Sequence, residues 1–405
     1  MLIYTCQEER NNMNSRVNSL LTSFEHEALL ELRHALHREP ELSNNEWKTQ
    51  QRIRETLETF GLIGAKTFHD TGLYIDIEGT ASGQRRSLAV RGDIDALPIS
   101  EDRADLPFRS RVEGMMHACG HDMHASIAMG VALASHRLRH NFSGRLRVIF
   151  QPAEEAEPLG GRSVVEAGLL AGFDCAVGFH VDPSMPRGKY GALPGAVTQS
   201  ADQFSVTVTG SSAHGATPHA GVDAITIAAA FINEIQKVVS REMPIDDRSI
   251  ITIGTIHGGH ATNIICASVV LEGTIRTSSP ARRAHLCQRV REIAQGVAAM
   301  HRGEAKCVIW SGEPAVINDP NMVSRFRSTV LEMAGPDAFS QDISRSGSDD
   351  FGFYAQCIPS IYFLFGSGEP GKNSGLHTPT FAVSDEILIP ATELAITYCF
   401  ALLEE

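Results

Sequence analysis

The stretch Asp202-Gln-Phe-Ser-Val-Thr-Val-Thr209 decides how this chain is divided. Phe204, Val206 and Val208 alternate with polar residues, the period-two pattern of a strand with one buried face. Downstream, Gly221–Arg241 reads as an apolar-faced helix, Ser249–Ile256 and Ala267–Arg276 as two strands, Pro280–His301 as a helix and Lys306–Trp310 as a last strand. That order, β-α-β-β-α-β, is the ferredoxin-like unit.

The flanks follow a different rule. Upstream, Thr22-Ser-Phe-Glu25 reads as a capping box for a helix with Leu29, Leu30, Leu32 and Leu36, and Ser43-Asn-Asn-Glu46 repeats the signal before a helix ending near Gly61. The apolar runs Leu73–Ile77, Leu88–Val90, Leu146–Phe150 and Ala176–Phe179 then alternate with helical stretches at His124–Leu138 and Gly161–Leu170. After Pro314 the pattern resumes with a helix around Asn321–Met333, a strand at Ser360–Phe365 and a helix at Pro390–Leu403. Alternating strands and helices predict an α/β layered domain with a mostly parallel sheet. The expected division is a polar N-terminal extension (1–22), a catalytic domain in two halves (23–198 and 313–405), and an inserted ferredoxin-like α+β domain (199–312).

Composition narrows the function classes. In 405 residues, 35 Lys+Arg stand against 48 Asp+Glu, a net charge of −13 that leaves little to neutralise nucleic-acid phosphates. No run approaches the roughly 18 unbroken apolar residues of a spanning helix. Eight cysteines lie scattered without a C-x-x-C pair, as expected of free thiols in a reducing compartment. The first residues carry Glu8, Glu9 and Arg10 and no apolar core of a secretory signal. Cytoplasmic location, without nucleic-acid or membrane partners, is the expectation.

Chemistry concentrates in Met116-His-Ala-Cys-Gly-His-Asp-Met-His124. Cys119 and His121 flank Gly120, whose permissive backbone allows a bend that aims both side chains at one point. Gln151-Pro-Ala-Glu-Glu155 follows a strand, so one carboxylate can ligate a cation while its neighbour handles a proton. Gly178-Phe-His180 ends a strand, and Leu376-His-Thr-Pro379 follows one after a Gly-rich loop. Strand ends of one sheet lie close together, so these candidates are expected to converge. Asp93 and Asp95, in Arg91-Gly-Asp-Ile-Asp-Ala-Leu-Pro98, stand at the same edge as carboxylates that can orient imidazoles, a role Asp122 shares with Asp93. Ser346-Gly-Ser-Asp-Asp-Phe351 reads equally as a turn or as polar lining of the site.

These motifs, together with His34-Ala-Leu-His-Arg-Glu-Pro-Glu-Leu-Ser43 and in this order, resemble the aminoacylase and hippurate-hydrolase type of dinuclear metallopeptidase. That family also includes auxin-conjugate hydrolases, N-acetyl-diaminopimelate deacetylases and some carboxypeptidases. The resemblance implies two divalent ions, Zn or Mn first and Co or Ni as alternatives, held by Cys119, His121, Glu155, His180 and His377. Glu154 would be the general base, and the substrate an N-acyl-amino acid or a small peptide. It further implies a homodimer through the inserted domain, with His214 reaching the partner's site to steady the oxyanion, and Asn263 and Arg276 holding substrate.

This chain departs from the family pattern at three places. Asp349 stands where relatives carry Glu, Cys266 where a Pro is common, and Arg91 where more distant relatives have a metal-binding His. Two other readings of the motifs remain: a cysteine-nucleophile amidase pairing Cys119 with His121 or His117, and a non-catalytic binding protein on the same scaffold.

Overall fold

The computed structural model describes residues 19–343, 347–369 and 375–404. Most of the expected N-terminal extension, and Ser346 of the serine-glycine motif, lie outside them. The chain forms two compact units. One comprises 19–192, 319–343 and 357–404, and the other 193–318 with the described part of 344–356.

Among the described residues, the first unit is built on an eight-stranded mixed sheet. Its spatial order is Lys66–Phe68, Gly72–Thr80, Ser143–Gln151, Arg86–Asp93, Cys175–Pro186, Ser360–Gly368, Tyr190–Gly191 and Phe339–Ser340. The central strands Ser143–Gln151, Arg86–Asp93, Cys175–Pro186 and Ser360–Gly368 run parallel, as the α/β alternation predicts, while the first two strands are added antiparallel. Parallel register places Asp93 opposite Gln151, so the segments leaving these strands start level with each other.

The helix His121–Arg137 crosses the core with every residue from His121 to Ser135 buried. It lies close to the strand Arg86–Asp93 because Gly92 has no side chain: a Cβ there would stand 2.8 Å from both the His124 carbonyl oxygen and Ala128 Cβ. The C-terminal helix packs its apolar residues, Leu388 to Leu403, into the same core. Residues 385–403 are long and apolar enough by composition to cross a membrane, yet 61% of that span is buried inside the fold. The mark of a core helix is this internal packing.

The helix Ser23–Arg38 carries the expected capping box, with Thr22 and Glu25 bonding reciprocally. The second expected capping box does not form. Glu46 is the N-cap of Trp47–Thr59 but makes no side-chain cap bond, because Ser43 and Glu46 are both engaged elsewhere.

The second unit has the antiparallel strand order Glu304–Trp310, Asp202–Thr209, Ser268–Arg276, Ile250–Gly258, with the helices Ala224–Lys237 and Pro280–Met300 closing one core against it. This is the ferredoxin-like arrangement read from the sequence. Phe204, Val206 and Val208 are all buried in that core, which is what their alternation required.

Candidate metal centre

Gly120 sets the geometry. It caps the helix at φ 88°, and a Cβ on it would lie 2.6 Å from Val181 Cγ2. Only glycine takes that left-handed turn this close to a neighbouring strand without strain. The bend presents Cys119 and His121 to the ends of the parallel strands. On the far side, the His377 N–H bonds the Ala118 carbonyl at 2.9 Å, drawing the C-terminal loop onto the same point, with His377 itself at φ 59°.

Cys119 Sγ lies 3.3 Å from His180 Nε2 and 3.3 Å from His377 Nε2. Two groups of ligand-type atoms therefore share it. Cys119, His121 and His180 form one, and Cys119, Glu155 and His377 the other, each with its atoms within 4.8 Å of one another. Glu154 joins a third group with His121 and Glu155. Cys119, His121 and His180 are buried, whereas the His377 side chain is 49% exposed, so one flank of the cluster is open to solvent.

Tautomers follow from the partners. His121 Nδ1 faces the Asp95 carbonyl at 2.9 Å and Asp95 Oδ1 at 3.1 Å, and His180 Nδ1 donates to the Val181 carbonyl at 2.7 Å. In both rings Nε2 is left to the cluster. Among the described residues, His121 Nε2 and Glu155 Oε1 are buried without hydrogen-bond partners, although His377 Nε2 approaches Glu155 Oε1 to 3.1 Å. Buried polar atoms that lack a hydrogen-bond partner among the described residues, within a cluster of thiol, imidazole and carboxylate, are what divalent ions require. The residues fit a dinuclear divalent-metal site.

The surrounding charges favour a cation. Burial works against a charged His121, yet the Asp93 charge, the Asp95 hydrogen bond and Cys119 raise its pKa well above the usual imidazole value. The same field attracts a metal ion.

The other histidines of the cluster have different tasks. His124 Nε2 accepts the Val181 N–H at 3.0 Å, so its Nδ1 donates to Asp93 Oδ1 at 2.6 Å. Asp93 also takes Arg91 Nη1 at 2.6 Å, which leaves Asp95 as the carboxylate bonded to His121. Asp122, expected to orient a ligating imidazole, instead holds Arg33 at 3.2 Å and His37 at 3.0 Å. His117 is buried with both ring nitrogens lacking hydrogen-bond partners among the described residues, and burial first of all lowers its pKa to about 4.

In the second unit, the Gly215 N–H donates to the Asn263 carbonyl at 2.8 Å and His214 bridges to Ile264, which brings the expected His214 and Asn263 into adjoining loops. His214 is exposed, and its Nδ1 accepts the Ala216 N–H at 3.0 Å. Arg276 ends its strand with Nη1 buried and without a hydrogen-bond partner among the described residues. Cys266 is buried and its thiol reaches the Ser268 carbonyl. Asp349 caps the following turn through the Phe351 N–H at 2.8 Å.

The residue that sequence reasoning missed at the centre is Glu46. Its carboxylate bonds the Ala153 N–H at 2.8 Å, one residue before Glu154.

Comparison with known proteins agrees with this geometry. The family model described as peptidase family M20/M25/M40 matches residues 89–399. An uncharacterized hydrolase of Sinorhizobium fredii is 72% identical over 395 residues, 97% of this chain and 98% of that protein. The N-acetyl-L-cysteine deacetylase of Bacillus subtilis is 34% identical over 394 residues, 96% of this chain and 90% of that protein. A solved structure from Bacillus subtilis, a dinuclear metal-binding peptidase of the M20 family, superposes with a TM-score of 0.82 at 30% identity, covering 95% of this chain and 99% of that one.

Proposed function

The chain belongs to peptidase family M20/M25/M40, a metal-dependent hydrolase family, and from that premise we propose that it hydrolyses the amide bond of N-acyl-amino acids. The observation that carries the reading is the sharing of Cys119 by two ligand groups, with Glu154 beside them.

Cys119, His121, Glu155, His180 and His377 would hold two divalent ions. A mixed thiolate, imidazole and carboxylate set suits Zn²⁺, with Mn²⁺, Co²⁺ and Ni²⁺ as alternatives. When bound, such ions lower the pKa of a coordinated water and polarise an amide carbonyl. The chain supplies the rest. Glu154 takes the proton of the attacking water and returns it to the leaving amine. Arg276, whose planar fork matches a carboxylate and whose Nη1 is buried without a hydrogen-bond partner among the described residues, clamps the α-carboxylate. Asn263 completes that grip, and His214, extended on an exposed loop, donates to the developing oxyanion in a partner subunit's site. This role makes the protein a homodimer through its ferredoxin-like unit.

The similarity to N-acetyl-L-cysteine deacetylase supports an N-acyl-amino acid over a longer peptide. All the described cysteines are free, which fits a reducing cytoplasm.

Glu154→Ala tests the assignment. Turnover of N-acetyl- and N-benzoyl-amino acids should fall by about 10²–10⁴-fold while elemental analysis still finds the metal. Near-full hydrolysis by this variant would remove Glu154 from the mechanism. Inactivation by thiol alkylation, with activity intact in a chelator, would point to the cysteine nucleophile instead.

A further inference from the structure

The turn Ser43–Glu46 and the segment Ala153–Ala156 are in contact in space through pairs 107 and 112 residues apart in sequence. Ala153 has φ 52°, left-handed backbone that a residue with a Cβ adopts only when its surroundings hold it there. Two hydrogen bonds hold it there. Glu46 Oε1 accepts the Ala153 N–H at 2.8 Å, and the Gly160 N–H bonds the Ala153 carbonyl at 2.9 Å. Glu46 Oε2 is fixed in turn by the Thr71 hydroxyl at 2.7 Å, and Glu46, Thr71 and Ala153 are all fully buried.

The far end of the segment is tied by the same turn. The Glu155 N–H donates to Asp95 Oδ2 at 3.0 Å, and the Ser43 hydroxyl donates to that oxygen at 2.7 Å. Asn44 Nδ2 reaches the Ala156 carbonyl at 3.4 Å. Glu46 is the N-cap of its own helix, yet its carboxylate makes no capping hydrogen bond to that helix. A buried acid that leaves its own helix end to grip a left-handed residue next to Glu154 has a task at the centre.

We propose that Glu46 is a positioning residue, whose carboxylate locks Ala153 in its left-handed conformation and so aims Glu154 and Glu155, with Ser43 bracing the Glu155 end through Asp95. This role rests on the proposed function for its catalytic consequence, but the lock itself is a property of the fold.

The test uses the full-length protein with Glu46→Gln, Glu46→Ala and Glu46→Ala combined with Ala153→Gly. Glutamine keeps an oxygen for the Ala153 N–H, and glycine adopts positive φ without help. Hydrogen–deuterium exchange of overlapping peptides covering 151–160 reads the lock directly. In Glu46→Ala, exchange at Ala153 should rise at least about tenfold and kcat should fall about 10–100-fold, the usual range for removing an orienting partner. KM should stay within about twofold. Glu46→Gln should stay within about threefold of the parent in both readouts, and the added glycine should recover at least about tenfold of the lost kcat.

Unchanged exchange at Ala153 in Glu46→Ala, or equal damage from glutamine and alanine, would overturn the proposal. If Glu46→Ala fails to fold, Thr71→Val releases the carboxylate while leaving it in place, and parent-like exchange there would also overturn it. A parent protein that turns over no acyl-amino acid defeats the proposed function alone, since the exchange comparison still decides the lock.

Discussion

His124 Nδ1 lies 2.6 Å from Asp93 Oδ1, and with Nε2 accepting the Val181 N–H, both ring nitrogens are spent on protein partners. Burial disfavours its charged form and its pKa is lowered, consistent with a neutral ring. His124 therefore supports the strand that carries His180 rather than ligating. Its replacement by Ala should cost about 2–4 kcal/mol of stability, because Asp93 loses a buried donor. Urea unfolding measures that loss, and at saturating metal the ion content per chain should match the parent. His121→Ala should lose metal outright.

Gly120→Ala adds one methyl at φ 88°, directed at Val181 Cγ2 only 2.6 Å away. The chain must shift where Cys119 and His121 diverge. Metal affinity should drop about 10–100-fold, as when a partner that orients ligands is lost. Isothermal titration of metal-free protein reads the change, and an affinity equal to the parent's would mean that the turn adapts without moving the ligands.

A pH dependence follows from His37. Burial opposes its charge, but Asp122 at 3.0 Å and Glu101 at 3.2 Å outweigh it and raise the pKa to about 9. Arg33 shares Asp122, and the neighbouring His117 is held neutral, so the carboxylates dominate the exchange of charge. The folded pKa exceeds the ordinary histidine value, so this contribution is complete below about pH 6.5 and is lost as pH rises through about 9. Thermal melts between pH 7 and 10 should show falling stability, with a smaller fall in His37→Gln. Equal slopes would show that the pair does not govern this range.

Much of this architecture was legible in the chain because periodicity reports burial. Phe204, Val206 and Val208 announced the second unit, and Gly120 between Cys119 and His121 announced the bend. Long-range polar choices were not legible. Ser43-Asn-Asn-Glu46 has the spacing of a capping box, but Ser43 and Glu46 find better-buried partners in Asp95, Thr71 and Ala153. Which of Asp93 and Asp95 faces His121 depends on where Arg91 and His124 lie, and local spacing carries no record of that. Left-handed backbone at Ala153 and His377, both non-glycine, also leaves no mark in the sequence.

Arg276→Ala isolates the proposed carboxylate clamp. Removing the guanidinium should raise KM for N-acetyl-amino acids by about 10–100-fold, corresponding to about 1.5–3 kcal/mol for a charge-assisted bond. The penalty should shrink for substrates whose carboxylate is an amide. Steady-state kinetics on matched acid and amide pairs gives the comparison, and an equal penalty on both would place Arg276 outside carboxylate recognition.

The proposed hydrolysis requires two divalent ions sharing Cys119. Its most direct test is a titration of Zn²⁺ or Mn²⁺ into chelator-stripped protein, with hydrolysis of an N-acyl-amino acid followed at each addition. Activity is predicted to be absent without metal and to rise to a plateau at two ions per chain. Full activity in the stripped protein, indifferent to added metal, would contradict a metal-dependent mechanism.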